Sequence, residues 1–541
     1  MTIDALAKYR QAYSNFRWDT PESFNFGAVI DHYAEDPNRV AILWEDQDRR
    51  RARLTFADIS LQSNRIANVL AGLGIKRGDA ILLVLPRITL WQAAYIGGLK
   101  LGALVVPCTS MLREKDLVYR ANHCGARAII AGAESATMIA DLRRQCPTLE
   151  HFLVAGSARS GWTGLHEAMS QTSPLFKPAS TKSSEPAICY YTSGTTKEPK
   201  AVLHTHSYIY SHRFTGLNWL DLKPGDLHWT TSDTGWAKAA YGVLFGPWMN
   251  GVTTFMFNGR FEPKKELELL AHYGITTFCA PPTEYRMLIK EDLAQYQFPK
   301  LRHCTGAGEP LNPEVIEVWR ERLGHTIHDG YGQTESIILA ANMPGMPVKP
   351  GSMGLPFPGH DVRVLGNDLC ESGVDEVGEI AVRVKPERPP SLFREYWKNP
   401  EETAAVFRGD WYLTGDQATC DADGYLWFVG RADDVIISAG YRIGPFEVES
   451  ALLEHPAVME SAVVASPDAE RGSIVKAFVR LKAGVERGDH LVRELQEHCK
   501  RITAPYKYPR EIEFMDELPK TVSGKIRRVE LRKQEESKKG K

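Results

Sequence analysis

A hydroxyl-rich loop, Tyr190-Tyr191-Thr192-Ser193-Gly194-Thr195-Thr196-Lys197-Glu198-Pro199-Lys200, follows the apolar Ala187-Ile188-Cys189. Its hydroxyls and backbone N–H groups can wrap phosphate oxygens, its glycine permits close approach, and its lysines add compact positive charge. The Walker pattern is not met, because Gly194 has no second glycine five positions on and Lys200 precedes Ala201, so a P-loop NTPase is disfavoured. A second stretch, Asp329-Gly330-Tyr331-Gly332-Gln333-Thr334-Glu335-Ser336, sets a ring able to stack on a purine near a carboxylate able to hold Mg²⁺ through oxygen. Tyr412-Leu413-Thr414-Gly415-Asp416, Gly430-Arg431-Ala432-Asp433-Asp434 and Pro519-Lys520-Thr521-Val522-Ser523-Gly524-Lys525 complete the set. Each alone reads equally well as a turn or a solvated charge.

The elements that must position these residues follow from periodicity. Apolar runs such as Ala80 to Pro86 and Ala128 to Ile130 alternate with amphipathic helices such as Leu61 to Leu73, a rhythm that favours parallel sheets flanked by helices. From Pro347 to Ile437 short β-like pieces sit between Gly, Asp and Pro turns, and beyond Arg431 a helix opening at Pro445 and two alternating strands announce a small α/β domain. The expected architecture is α/β. It has a large N-terminal domain, residues 1–432, of flanked mixed and parallel sheets with a β-rich subdomain at about 347–432, and a small mobile C-terminal α/β domain, residues 433–541.

Composition narrows the function classes. The chain of 541 residues carries 65 Lys+Arg against 67 Asp+Glu, so nothing supports non-specific nucleic-acid binding, and 43% hydrophobic residues supply a sizeable core. The longest apolar stretch, Tyr95 to Cys108, is interrupted by Lys100 and is too short to span a bilayer, so no stable membrane association is expected. The nine cysteines never fall in CxxC spacing, which argues against a disulfide framework or a thiolate zinc site and for buried thiols. Without a secretory signal at Met1 to Asn15, the expected location is cytoplasmic.

In order and content together these motifs resemble the adenylate-forming (AMP-binding) acyl-CoA synthetases, a superfamily that includes firefly luciferase and peptide-synthetase adenylation domains, over nearly the whole chain. Ser232-Asp233-Thr234-Gly235-Trp236, Arg442-Ile443-Gly444-Pro445 and Thr503 to Arg510 are most similar to medium-chain and branched-chain members. The phosphate loop departs from many relatives in having Lys197 and Ala201 where they carry glycine.

The resemblance implies that ATP and a carboxylic acid form acyl-AMP and pyrophosphate, and that CoA then displaces AMP; ATP, Mg²⁺ and CoA are the implied cofactors and co-substrates. It places Thr192, Ser193, Gly194, Thr195, Thr196, Lys197 and Lys200 at the β- and γ-phosphates, Thr334 at the α-phosphate, and Glu335 on Mg²⁺. Gly306, Ala307, Gly308, Glu309 and Pro310 line the adenine pocket with Asp329, Gly330, Tyr331, Gly332 and Gln333, and Tyr331 stacks on the base; Asp416 and Arg431 hold the ribose, and Arg442 assists at the phosphate. Lys525 bridges the α-phosphate and the attacking carboxylate, and His206 matches a histidine near that carboxylate. Asp433 is the implied hinge; Ser438, Ala439, Gly440 and Tyr441 line a pantetheine channel, and Arg471, Lys500 and Tyr508 meet the CoA nucleotide. Trp236 and Gly332 bound the acyl pocket. Gly332 replaces the tryptophan of acetate-activating relatives, so acids of about four to eight carbons are expected, each buried methylene adding about 0.8 kcal/mol. The alternatives are a benzoate-like acid, delivery to a carrier protein, and a catalytically silent nucleotide-binding protein, which the charges of Lys525, Glu335, Asp416 and Arg431 disfavour.

Overall fold

The computed structural model describes residues 2–139, 142–192, 198–439, 441–468, 471–520 and 525–539. They fall into two compact units: residues 1–350, 357–360 and 386–405 form one, and residues 351–356, 361–385 and 406–541 the other.

The first unit is built on two large sheets. One runs, edge to edge, Glu395–Tyr396, Lys200–Thr205, Pro186–Thr192, Leu104–Pro107, Ala80–Val84, Ala128–Gly132, His151–Ala155 and Thr163–Gly164. Its central strands Ala80–Val84 and Ala128–Gly132 are buried at every position and pair in parallel, as the unbroken apolar runs require when helices cover both faces. Helices enter and leave by local chemistry. Thr55 and Asp58 close a capping box at the start of Phe56–Gly72, and Gly102 ends Thr89–Leu101 in the left-handed conformation. The second sheet sets Ile338–Ala341, Ile327–Gly332, His303–Ala307, Thr277–Ala280, Leu227–Thr230, Thr253–Asn258, Val40–Asp46 and Arg51–Thr55 side by side. Parallel register aligns Gly306 with Asp329 and Ala307 with Gly330, so the carboxyl ends of neighbouring strands carry two of the sequence motifs side by side. Open α/β sheets bind ligands at that edge.

In the second unit, Val362–Leu365, Gly378–Arg383, Trp411–Cys420, Phe407–Arg408 and Leu426–Arg431 form an antiparallel five-stranded sheet. The ribbon Ile436–Ser438 and Tyr441–Ile443 follows, then a three-stranded sheet, Val458–Asp468, Gly472–Leu481 and Glu511–Phe514, packed by helices Pro445–Leu453 and Asp489–Ile502. Of the nine cysteines, all unpaired, seven are buried, Cys420 is partly covered and Cys370 is exposed. No helix among the described residues is long and apolar enough to cross a membrane.

Candidate active site

The expected phosphate loop is flanked by an antiparallel pair: Thr192 ends one strand, Lys200 begins the next, and the two stand in register. Ser193, Gly194, Thr195, Thr196 and Lys197 lie outside the described residues, as do Gly440 and the side chain of Arg442. Lys200 forms an ion pair with Glu402, and its ammonium sits 5.0 Å above the ring of Tyr396. The Tyr396 hydroxyl donates to Glu335 Oε1 at 2.9 Å. One phenol therefore joins the loop lysine to the carboxylate that the resemblance assigns to Mg²⁺.

The turn that carries Thr334 and Glu335 is held from several sides. The Phe393 amide donates to the Glu335 carbonyl at 2.7 Å, and the Gln333 amide to the Ser336 hydroxyl at 3.1 Å. His204 Nε2 lies 2.7 Å from the Thr334 carbonyl, and its ring stacks on Tyr208 with centroids 3.7 Å apart. Burial holds this ring down to about 3, so it is neutral at physiological pH; because a carbonyl only accepts, Nε2 carries the proton. His206, two residues on, is fully buried, and the charges that act on it are those of Glu185 and Arg77. His204 is thus the histidine of this strand end that meets the Thr334–Glu335 turn.

On the second sheet, Glu309 accepts from Thr283 Oγ1 at 2.6 Å and from Arg286 at 3.0 Å. Asp329 is 4% exposed and accepts from the Gly330 amide at 3.0 Å. Burial pushes its carboxyl up to about 8, against the opposing pull of backbone amides and Lys238. Gly332 sits where the pairing with Ile338 is bulged, and a Cβ there would meet the Ile337 carbonyl oxygen at 2.6 Å. Any side chain at this position has to move backbone. Trp236, half-buried, opens a short helical stretch that continues into a π-helical turn, Ala240–Phe245. Gly235 before it presses on another segment: a Cβ would stand 2.0 Å from the Thr109 amide nitrogen, so only glycine lets the chain pass and aim Trp236.

In the second unit, Asp416 and Arg431 are register partners, with Arg431 Nε 3.4 Å from Asp416 Oδ1; Asp416 is buried and Arg431 exposed. Asp433 lies on the next turn, 3.9 Å from Arg431 Nε. Arg532, from helix Arg528–Lys539, donates to the Asp433 carbonyl at 2.7 Å and ion-pairs with Asp434. The expected CoA contacts form two groups. The Ala439 amide donates to the Arg471 carbonyl at 3.0 Å, and Arg471 Nε to the Ser438 hydroxyl at 3.4 Å. Elsewhere Lys500 lies 4.4 Å over the Tyr508 ring, while Tyr441 stacks on Tyr506 with centroids 4.4 Å apart. Lys525 is exposed, next to the isolated bridge between Lys520 and Ile526.

Residues 30–397 match the AMP-binding enzyme family and residues 447–525 the AMP-binding enzyme C-terminal domain. This chain belongs to the AMP-binding enzymes. It is 44% identical over 547 residues to the mitochondrial acyl-coenzyme A synthetase ACSM3 of Mus musculus, an alignment covering 99% of this chain and 94% of that one. Among solved structures it resembles the anthranilate CoA ligase AuaEII in complex with anthranoyl-AMP, with TM-score 0.87, 31% identity and coverage of 96% of this chain and 98% of that one. It also resembles a Brucella canis acyl-CoA synthetase, with TM-score 0.75, 35% identity and 99% coverage of both chains. The enzyme is an AMP-forming acid–thiol ligase that activates a carboxylic acid with ATP and transfers it to CoA. The expected cytoplasmic location is corrected: the curated relatives, ACSM3 of Mus musculus and ACSM4 of Homo sapiens among them, are mitochondrial proteins. The pattern of a secretory signal bears only on export and cannot distinguish the cytoplasm from an organelle.

Sequence reasoning missed Tyr396, Glu402 and His204. The first two lie far along the chain from the loop they serve and in no motif. The alternation of a strand would have pointed to His204, since positions 202, 204 and 206 share a face only while the strand lasts, and the strand ends at Thr205.

Proposed function

We propose that the acid is a straight or branched aliphatic one of about four to eight carbons, held against Trp236 in a pocket that Gly332 leaves open. What supports this reading is that position 332, where the resemblance puts a tryptophan in acetate-activating members, holds a glycine, and that Trp236 is half-buried. A benzoate-like acid is the second reading, favoured by the likeness to the anthranilate ligase.

Acid and nucleotide are both anionic, so the chain must supply cations and aligned donors where they meet. Thr192 to Lys200 grip the β- and γ-phosphates, Thr334 touches the α-phosphate, and Gly308 to Pro310 with Asp329 to Gln333 surround adenine. Asp416 and Arg431 hold the ribose hydroxyls, Arg442 assists at the phosphate, and Lys525 brings a mobile charge to carboxylate and α-phosphate together. No cluster of three or more His, Cys, Asp or Glu able to hold a metal occurs among the described residues. The single carboxylate of Glu335, aimed by Tyr396, suits Mg²⁺, which takes one or two protein carboxylates and completes its shell with phosphate and water. When bound it offsets phosphate charge; Glu335 holds it and Tyr396 keeps Glu335 in place. For the thioester step the C-terminal domain turns at Asp433, and Ser438 to Tyr441, Arg471, Lys500 and Tyr508 receive CoA.

Purified enzyme given ATP, Mg²⁺ and CoA with a panel of acids should release AMP and form thioester fastest with aliphatic acids of about four to eight carbons. A maximum at acetate would overturn the pocket reading. A maximum at benzoate would establish the second one.

A further inference from the structure

Lys238 stands two residues beyond Trp236, half-buried, and its Nζ donates to the Ala307 carbonyl at 3.2 Å. Ala307 ends its strand just before the Gly308-Glu309-Pro310 turn, so this ammonium lies where the acyl-pocket segment meets the nucleotide-lining edge. Two cations beside these motifs are already neutralised: Lys200 pairs with Glu402, and Arg286 with Glu309. Lys238 has no carboxylate within ion-pair distance among the described residues, although its charge acts on the carboxyls of Asp329 and Glu284. The carbonyl takes one of three ammonium donors and none of the charge. An unneutralised cation with two donors to spare, on the strand edge beside Trp236, is suited to an anion. The acid must bring its carboxylate there after shedding water.

We propose that Lys238 is the resident binding residue for the carboxylate of the incoming acid, holding it at the strand edge before the nucleotide is attacked. This rests on the acyl pocket lying at Trp236. The division of labour is physical. Lys238 belongs to the unit that carries Thr334 and Glu335, whereas Lys525 belongs to the other, so the acid can be held by one lysine whatever the position of the second. No bond is made or broken at Lys238; it contributes charge-assisted hydrogen bonds alone.

The test is acid-dependent exchange of labelled pyrophosphate into ATP by the full-length enzyme, with hexanoate and ATP varied separately. Lys238→Met should raise the KM for hexanoate about tenfold, the scale of one charge-assisted hydrogen bond, and leave the KM for ATP within about twofold. Lys238→Arg should recover most of the loss. Lys238→Gln keeps a donor for the Ala307 carbonyl without the charge, and repeats the test should the methionine variant not fold. An unchanged hexanoate KM, or an equal rise in both KM values, would overturn the proposal. Wild-type enzyme that exchanges pyrophosphate normally but with no sensitivity to substitution of Trp236 would instead sink the pocket reading, and with it the ground on which Lys238 was chosen.

Discussion

Asp329 shows how a motif residue gains its chemistry from its surroundings. In the sequence it is one acidic residue before a glycine-rich turn; in the fold it is buried and carries a carboxyl pushed up to about 8 from an ordinary 3.8. The folded protein thus keeps a proton that the unfolded chain releases. Its contribution to stability is fullest below about pH 4 and is lost as pH climbs towards about 8, by at most about 1.4 kcal/mol per pH unit. Asp329→Asn should remove that slope: its unfolding midpoint should fall less than wild type between about pH 5 and about pH 8 in thermal scans. Parallel curves would mean that Asp329 is ionised throughout. At this scale the motif residues were legible because their types and order are unusual. Tyr396, Glu402 and His204 were not, because a phenol 61 positions from Glu335 announces nothing until strands fold it into place.

Elements were legible where one physical pattern dominated. Runs such as Ala80 to Val84 became strands buried on both faces, and Pro445 opened its helix because its missing N–H would be unpaired there. Boundaries drifted where capping decided them, as at Phe56, where Thr55 and Asp58 begin the helix a turn ahead of its amphipathic stripe. The last helix has a task that its charge-rich sequence does not advertise. Arg532 ties the Asp433 carbonyl and the Asp434 carboxylate, so the proposed hinge is braced from the C-terminal side. Arg532→Ala removes a charged hydrogen bond worth about 1.5–3 kcal/mol. It should slow thioester formation from supplied acyl-AMP several-fold while pyrophosphate exchange stays within about twofold. Equal effects on both half-reactions would show that the tie is merely structural.

At the scale of the whole molecule, the chain's two compact units are not two consecutive segments: the β-rich stretch from 361 to 385 groups with residues 406–541, and 386–405 with the preceding chain. Local patterning cannot reveal such interleaving, because it depends on which surfaces meet after the strands have formed. Lys525 lies in one unit and Glu335 in the other. Lys525→Ala should therefore separate the two chemistries, lowering pyrophosphate exchange by about a hundredfold or more while thioester formation from supplied acyl-AMP persists within a few-fold. Rapid-quench measurement of each half-reaction decides it, and equal loss in both would contradict a reaction in two arrangements.

The distribution of thiols has a practical consequence. Cys370 alone is exposed, in the unit that also holds Lys525, and the neighbouring Asp368 raises its thiol above the usual range, whereas burial shields the seven interior ones. A maleimide dye applied to the native enzyme at mildly alkaline pH should couple first at Cys370, ahead of the partly covered Cys420, giving without mutagenesis a fluorescent reporter in the β-rich stretch that precedes the proposed hinge at Asp433.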